Sequence, residues 1–164
     1  MRRRTLLKVT LLGGALFAAS GLTLRLATRR TPQQARADAE SVLRALIPAL
    51  LAGVLPLEPS AAESAQRQAL ARTLATIDGL PPAVRAELDD LFGLLASRPG
   101  RWLAGLQWET ADAEAAARFL QRWRTSSVGL FVAGYQALHD LVLGPWYADP
   151  STWDAIGYPG PTRL

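Results

Sequence analysis

Apolar residues recur every three to four positions over most of this chain, and the every-second-residue alternation of a strand is scarce. Residues 38–51 carry Val42, Leu43, Leu46, Ile47 and Leu50 at helical spacing. Pro48 falls inside that run. A proline there removes a backbone donor and crowds the preceding turn, so a kink or a split is expected. Pro56 and Pro59 bracket a loop, and Ser60-Ala61-Ala62-Glu63 has the pattern of a capping box. Leu70, Leu74 and Ile77 then line one face, and Asp78-Gly79 closes the helix with Pro81 and Pro82 just beyond.

Val84, Leu88, Leu91 and Leu95 form the next stripe, stopped by residues 97–100, and a short segment follows at 102–106. Thr110 or Asp112 opens a helix with Ala116, Phe119, Leu120 and Trp123 on one face. The last long helix spans about 127–143 and aligns Phe131, Tyr135, Leu138 and Val142. Asp149-Pro150 pairs a capping residue with proline at the first helical position, which predicts a short helix through Trp153 and Ile156. Residues 157–164, rich in glycine and proline, are extended or turn-like. The expectation is an all-α fold: an irregular bundle of five to six helices with an extended Trp/Tyr/Pro-rich tail. There is no internal repeat and no Gly/Ser linker. A body of this length buries a core with little to spare.

Charge divides the chain in two. Residues 1–37 hold eight basic side chains (Arg2, Arg3, Arg4, Lys8, Arg25, Arg29, Arg30, Arg36) and no acid. The other ten bases and all 14 acids lie in 38–164, so the net +4 is a property of the N-terminus alone. The acidic body is a poor match for a phosphate backbone, and nucleic acid is excluded as a partner.

The N-terminus reads as an address: a basic start, then 16 uncharged residues from Val9 to Leu24, diluted by Gly13, Gly14, Ser20 and Gly21. A stable spanning helix takes ~20 apolar residues. Arg3, Arg4, Leu6, Leu7 and Lys8 resemble the bacterial twin-arginine (Tat) export signal, with Arg2 where Ser or Thr is common and Leu6 in place of Phe. Ala35 and Ala37 offer small residues for cleavage before Asp38, dividing the chain into a signal segment (1–37) and a helical domain (38–164). The alternative for this segment is an uncleaved membrane anchor.

Catalytic chemistry is hard to place. With no cysteine and a single histidine, thiol catalysis, thiolate metal sites and multi-histidine sites are excluded. His139 and Asp140 are adjacent, and adjacent helical residues project about 100° apart, so they are not expected to face each other. Asp89-Asp90 and Asp112/Glu114 read as solvated faces or acids at a helix start. No Gly-x-Ser-x-Gly elbow, calcium loop or phosphate-binding glycine loop is present. No catalytic, cofactor-binding or metal-binding residue is assigned.

The concentration of aromatics near the C-terminus stands out. Trp146, Tyr147, Trp153 and Tyr158 are four of the chain's 12 aromatic residues, interleaved with Pro145, Pro150, Pro159 and Pro161. Trp and Tyr favour interface hot spots, and prolines lower the ordering cost of binding. The same rings could instead fold back over their own bundle. Trp146, Tyr147, Trp153, Ile156, Tyr158 and Pro159 are the candidate partner-binding residues.

The run Trp146-Tyr-Ala-Asp-Pro-Ser-Thr-Trp153-Asp-Ala-Ile-Gly-Tyr-Pro-Gly-Pro161 resembles the tail of the small (gamma) subunits of bacterial membrane-bound FAD-dependent sorbitol, fructose and glucose dehydrogenases, related to the gluconate 2-dehydrogenase small subunit. The twin-arginine start and the short helical body also fit; residues 38–125 match in helical character alone. The resemblance implies a non-catalytic subunit without a cofactor of its own. Its partners would be a large FAD-containing catalytic subunit, the Tat translocon and, where present, a cytochrome c subunit. The complex would lie in the periplasm, peripheral to the outer face of the cytoplasmic membrane. The chain would act as escort and as maturation and stability factor. The competing readings are a stand-alone Tat-exported protein, enzymatic or structural, and a membrane-anchored structural protein.

Overall fold

The structure, a computed structural model, describes residues 30–153 and 157–160. Six helices and a 3-10 turn make up this part, and among the described residues there is no strand. The all-α expectation is met.

The first helix, α1 (Pro32–Leu50), starts six residues before the expected span of 38–51. Thr31 is its N-cap: its hydroxyl accepts the Gln34 N–H at 3.2 Å, and the Gln34 side chain accepts the Thr31 N–H at 2.9 Å. That reciprocal pair satisfies two orphan donors, and Pro32 fills the first helical position, where no donor is needed. Pro48 does not split the helix into two elements. It sits in the last turn, where one missing bond is a small loss so close to the end.

The second helix, α2 (Pro59–Asp78), is capped by Glu58, and not by Ser60 as the capping-box pattern suggested. The Glu58 carboxylate accepts from the Ser60 N–H at 3.1 Å, the Ala61 N–H at 2.6 Å and the Ser60 hydroxyl at 2.6 Å. Pro59 takes the first helical position and so moves the cap back by two residues. These bonds hold the Glu58 carboxyl below the usual range.

Two helices follow, α3 (Pro82–Ala96) and the short α4 (Arg98–Ala104). Ser97, expected to be part of a stop, also caps α4 by accepting the Gly100 N–H at 3.1 Å. Gly100 is required by close approach: a Cβ there would lie 1.8 Å from the Leu94 carbonyl oxygen. Asp112 caps α5 (Ala113–Arg124) by accepting the Ala115 N–H at 2.7 Å. The last helix, α6 (Gly129–Ala148), continues one turn past the expected end, through Pro145.

The helix α1 is the hub, touching α2, α3, α5 and α6. Its Val42, Leu43, Leu46 and Ile47 are fully buried, together with Phe92 of α3, Phe119 of α5 and Leu138 and Val142 of α6. A chain of rings ties α5 to its neighbours. Trp108 meets Phe119 edge-on at 5.4 Å, Phe119 meets Trp123 at 4.7 Å, and Trp123 stacks on Phe131 at 5.4 Å. Gly134 of α6 makes room for Trp123, since a Cβ there would come within 2.5 Å of the ring.

Candidate docking surface

The C-terminal aromatics part company. Trp146 is core, only 4% exposed, and is therefore not available to a partner. It follows Leu138 and Val142 at four-residue steps, so it extends the same buried face of α6 by one turn. Its indole nitrogen is buried without a hydrogen-bond partner among the described residues.

Beyond α6 the chain is pinned to the bundle. Asp149 accepts the Ser151 N–H at 2.9 Å and the Ser151 hydroxyl at 2.8 Å, starting a 3-10 turn (Pro150–Thr152), and it also pairs with Arg72 of α2. The Ser151 bonds, with Arg72 adding to them, hold the Asp149 carboxyl below its ordinary range. Thr152 is buried, its hydroxyl 2.8 Å from the carbonyls of both Trp146 and Asp149. The described part of the expected short helix is one 3-10 turn, and residues 154–156 lie outside the described residues.

Trp153 then folds back. Its indole N–H donates to the Tyr147 carbonyl at 2.9 Å, and Tyr158 meets its ring edge-on at 5.1 Å. Gly160 packs against the same ring. Tyr147 and Tyr158 remain 41% and 45% exposed, and Pro159 is exposed beside them. Self-packing therefore accounts for Trp146 and half of Trp153, and leaves Tyr147, Tyr158 and Pro159 as an outward aromatic face. Ile156 lies outside the described residues, as do Arg3, Arg4, Leu6, Leu7 and Lys8.

Ala35 and Ala37 lie inside α1, and Ala35 is buried. Scission before Asp38 would require the first turns of that helix to open. Arg30, counted with the N-terminal charge, is tied to the body: its guanidinium meets Asp38 at 3.0 Å and donates to the Gly93 carbonyl at 2.7 Å. Burial nonetheless keeps the Asp38 carboxyl above its usual value, against the pull of Arg30 and Arg101.

His139 and Asp140 do meet, contrary to the expectation from helical geometry: Nδ1 and Oδ1 are 3.1 Å apart. The Cβ directions diverge, but side-chain torsions bring the tips together at the helix surface, where both groups keep a good part of their access to water. Tyr135 flanks the imidazole at 5.6 Å. Asp89 is half-buried, and that burial raises its carboxyl, with Arg85 opposing and Asp90 reinforcing the shift. Asp112 is a cap and Glu114 pairs with Arg118 within α5, as expected of acids at a helix start. Among the described residues no cluster of three or more His, Cys, Asp or Glu side chains is placed to hold a metal ion.

Sequence periodicity missed a second outward face. On α4, Trp102 is 84% exposed and its neighbour Leu103 57%. Arg98, Arg101, Trp102 and Gln107 line an open hollow of about 380 Å³ beside them. Adjacent positions point in different directions on a helix, so a seven-residue segment with two large apolar neighbours leaves at least one outside; that was the available signal.

Comparison with family models, with curated proteins and with solved structures finds no match for this chain.

Proposed function

We propose that the chain is a non-catalytic small subunit that escorts a FAD-containing sugar or polyol dehydrogenase subunit through the Tat system and stabilises it in the periplasm. The observation that carries this reading is the pinned C-terminal aromatic face. Tyr147 and Tyr158 project from a backbone already fixed by the Asp149 cap, the Arg72 pair, the Thr152 hydroxyl and the Trp153 indole. A partner meeting such a surface has little left to order, and large aromatic side chains with polar tips supply area and hydrogen bonds together. The tail's likeness to the dehydrogenase small subunits supplies the class of partner. The twin-arginine start supplies the route, because that pathway carries cargo already folded.

The escort role is tested by replacing Arg3 and Arg4 with Lys in cells expressing both subunits. The expected result is that the small and the catalytic subunit both stay in the cytoplasm. Normal arrival of the flavoprotein in the periplasm overturns the role. Docking is tested with Tyr147→Ser/Tyr158→Ser, both at exposed positions. Recovery of the catalytic subunit should fall while the helical bundle melts unchanged.

A further inference from the structure

We infer that the outward face of α4, Trp102 and Leu103 with Arg98 and Arg101 at its rim, rests on the headgroup layer of an anionic lipid bilayer. Two independent observations meet there. The first is the chemistry of the face. Trp102 and Leu103 are 84% and 57% exposed. Arg98 is exposed at the start of α4, and Arg101 is held by the Ala96 carbonyl at 2.8 Å and Glu109 at 3.0 Å. A tryptophan ring with an aliphatic neighbour and guanidinium groups is the combination that partitions to the boundary between acyl chains and phosphates. The Arg98 stem can lie along the apolar surface while its head reaches phosphate oxygens, and Arg101, neutralised by Glu109, fixes the rim of the face.

The second observation is where the N-terminal segment joins the body. The Gly93 carbonyl accepts both the Arg30 guanidinium at 2.7 Å and, at 3.1 Å, the N–H of Ser97, the N-cap of α4. Arg30 is therefore fixed at the junction of α3 and α4. The uncharged stretch ends at Leu24, six residues before Arg30, and six residues reach at most about 20 Å. When that stretch enters a bilayer, α4 is held near the lipid surface. The inference rests on the apolar stretch entering the membrane, which export and anchoring share, and is independent of any protein partner.

The test uses the full chain alone, reconstituted in phosphatidylglycerol/phosphatidylethanolamine vesicles whose acyl chains are brominated. Trp108 and Trp146 are buried, Trp123 and Trp153 are half-buried and lie outside α4, and Trp102 is 84% exposed, so the part of the quenching that reports on α4 comes from Trp102. Most of it should disappear in Trp102→Phe, which keeps the apolar character of the face. Arg98→Glu should weaken it on phosphatidylglycerol-rich vesicles. Equal quenching of wild type and Trp102→Phe overturns the inference, since it would leave α4 in water. An absence of quenching in the wild type overturns it too. Unchanged thermal melting of the Trp102 variant establishes that either result concerns the surface.

Discussion

Glycine in the middle of a helix normally invites replacement, because alanine restricts the unfolded chain and favours the helix by about 1 kcal/mol. Gly134 of α6 should do the opposite. A Cβ built there lies 2.5 Å and 3.0 Å from two atoms of the Trp123 ring, well inside contact distance. The ring has little freedom to slide, since Phe119 lies 4.7 Å and Phe131 5.4 Å away. Overpacking of this kind costs about 1–3 kcal/mol. The 2.5 Å approach puts this site in the upper part of that range, about 2–3 kcal/mol, so against the helix gain Gly134→Ala should lose about 1–2 kcal/mol, lowering Tm by roughly 5 °C for a domain of this size. Gly129→Ala is the control. It lies at the start of the same helix, a Cβ there meets nothing within 4 Å, and it should be neutral or slightly stabilising. Urea and thermal denaturation of the two variants give the comparison. A double variant with Trp123→Leu should recover part of the Gly134→Ala loss, because the smaller side chain yields the space. Gly134→Ala as stable as wild type would refute the packing of α5 on α6 described above.

The remaining expectations are simpler. Thr73 of α2 is fully buried and its hydroxyl has no hydrogen-bond partner among the described residues, so Thr73→Val should raise stability by about 1 kcal/mol in urea denaturation. Asp149 has a folded-state pKa below its unfolded value, so its contribution is complete above the unfolded value and fades as pH falls through the folded one. Asp149→Ala should therefore melt below wild type at neutral pH, and the two curves should converge in strong acid.

The helices were legible because stripes such as Leu70/Leu74/Ile77 and Phe119/Trp123 report directly which face is buried. Their ends were less so. The box at Thr31 and Gln34, with Pro32 between, was present in the sequence, but it lay within the basic segment assigned to export. The last helix was expected to end near residue 143, yet a proline in the last turn costs little, and α6 runs through Pro145 and carries Trp146 into the core. Glu58 was passed over as a cap because a serine followed it. The candidate surface was half legible: composition located the aromatics, but only packing separated the buried Trp146 from the exposed Tyr147 and Tyr158. The α4 face was invisible to periodicity, which finds what a helix buries and says little about a short helix that leaves apolar side chains out.

The most direct measurement is the composition of the complex drawn from the periplasm by the full chain, read by flavin absorbance and subunit stoichiometry. A stoichiometric flavoprotein partner is expected, retained by the wild type and released by Tyr147→Ser/Tyr158→Ser. A folded, monomeric chain recovered from the same compartment without flavin would contradict it.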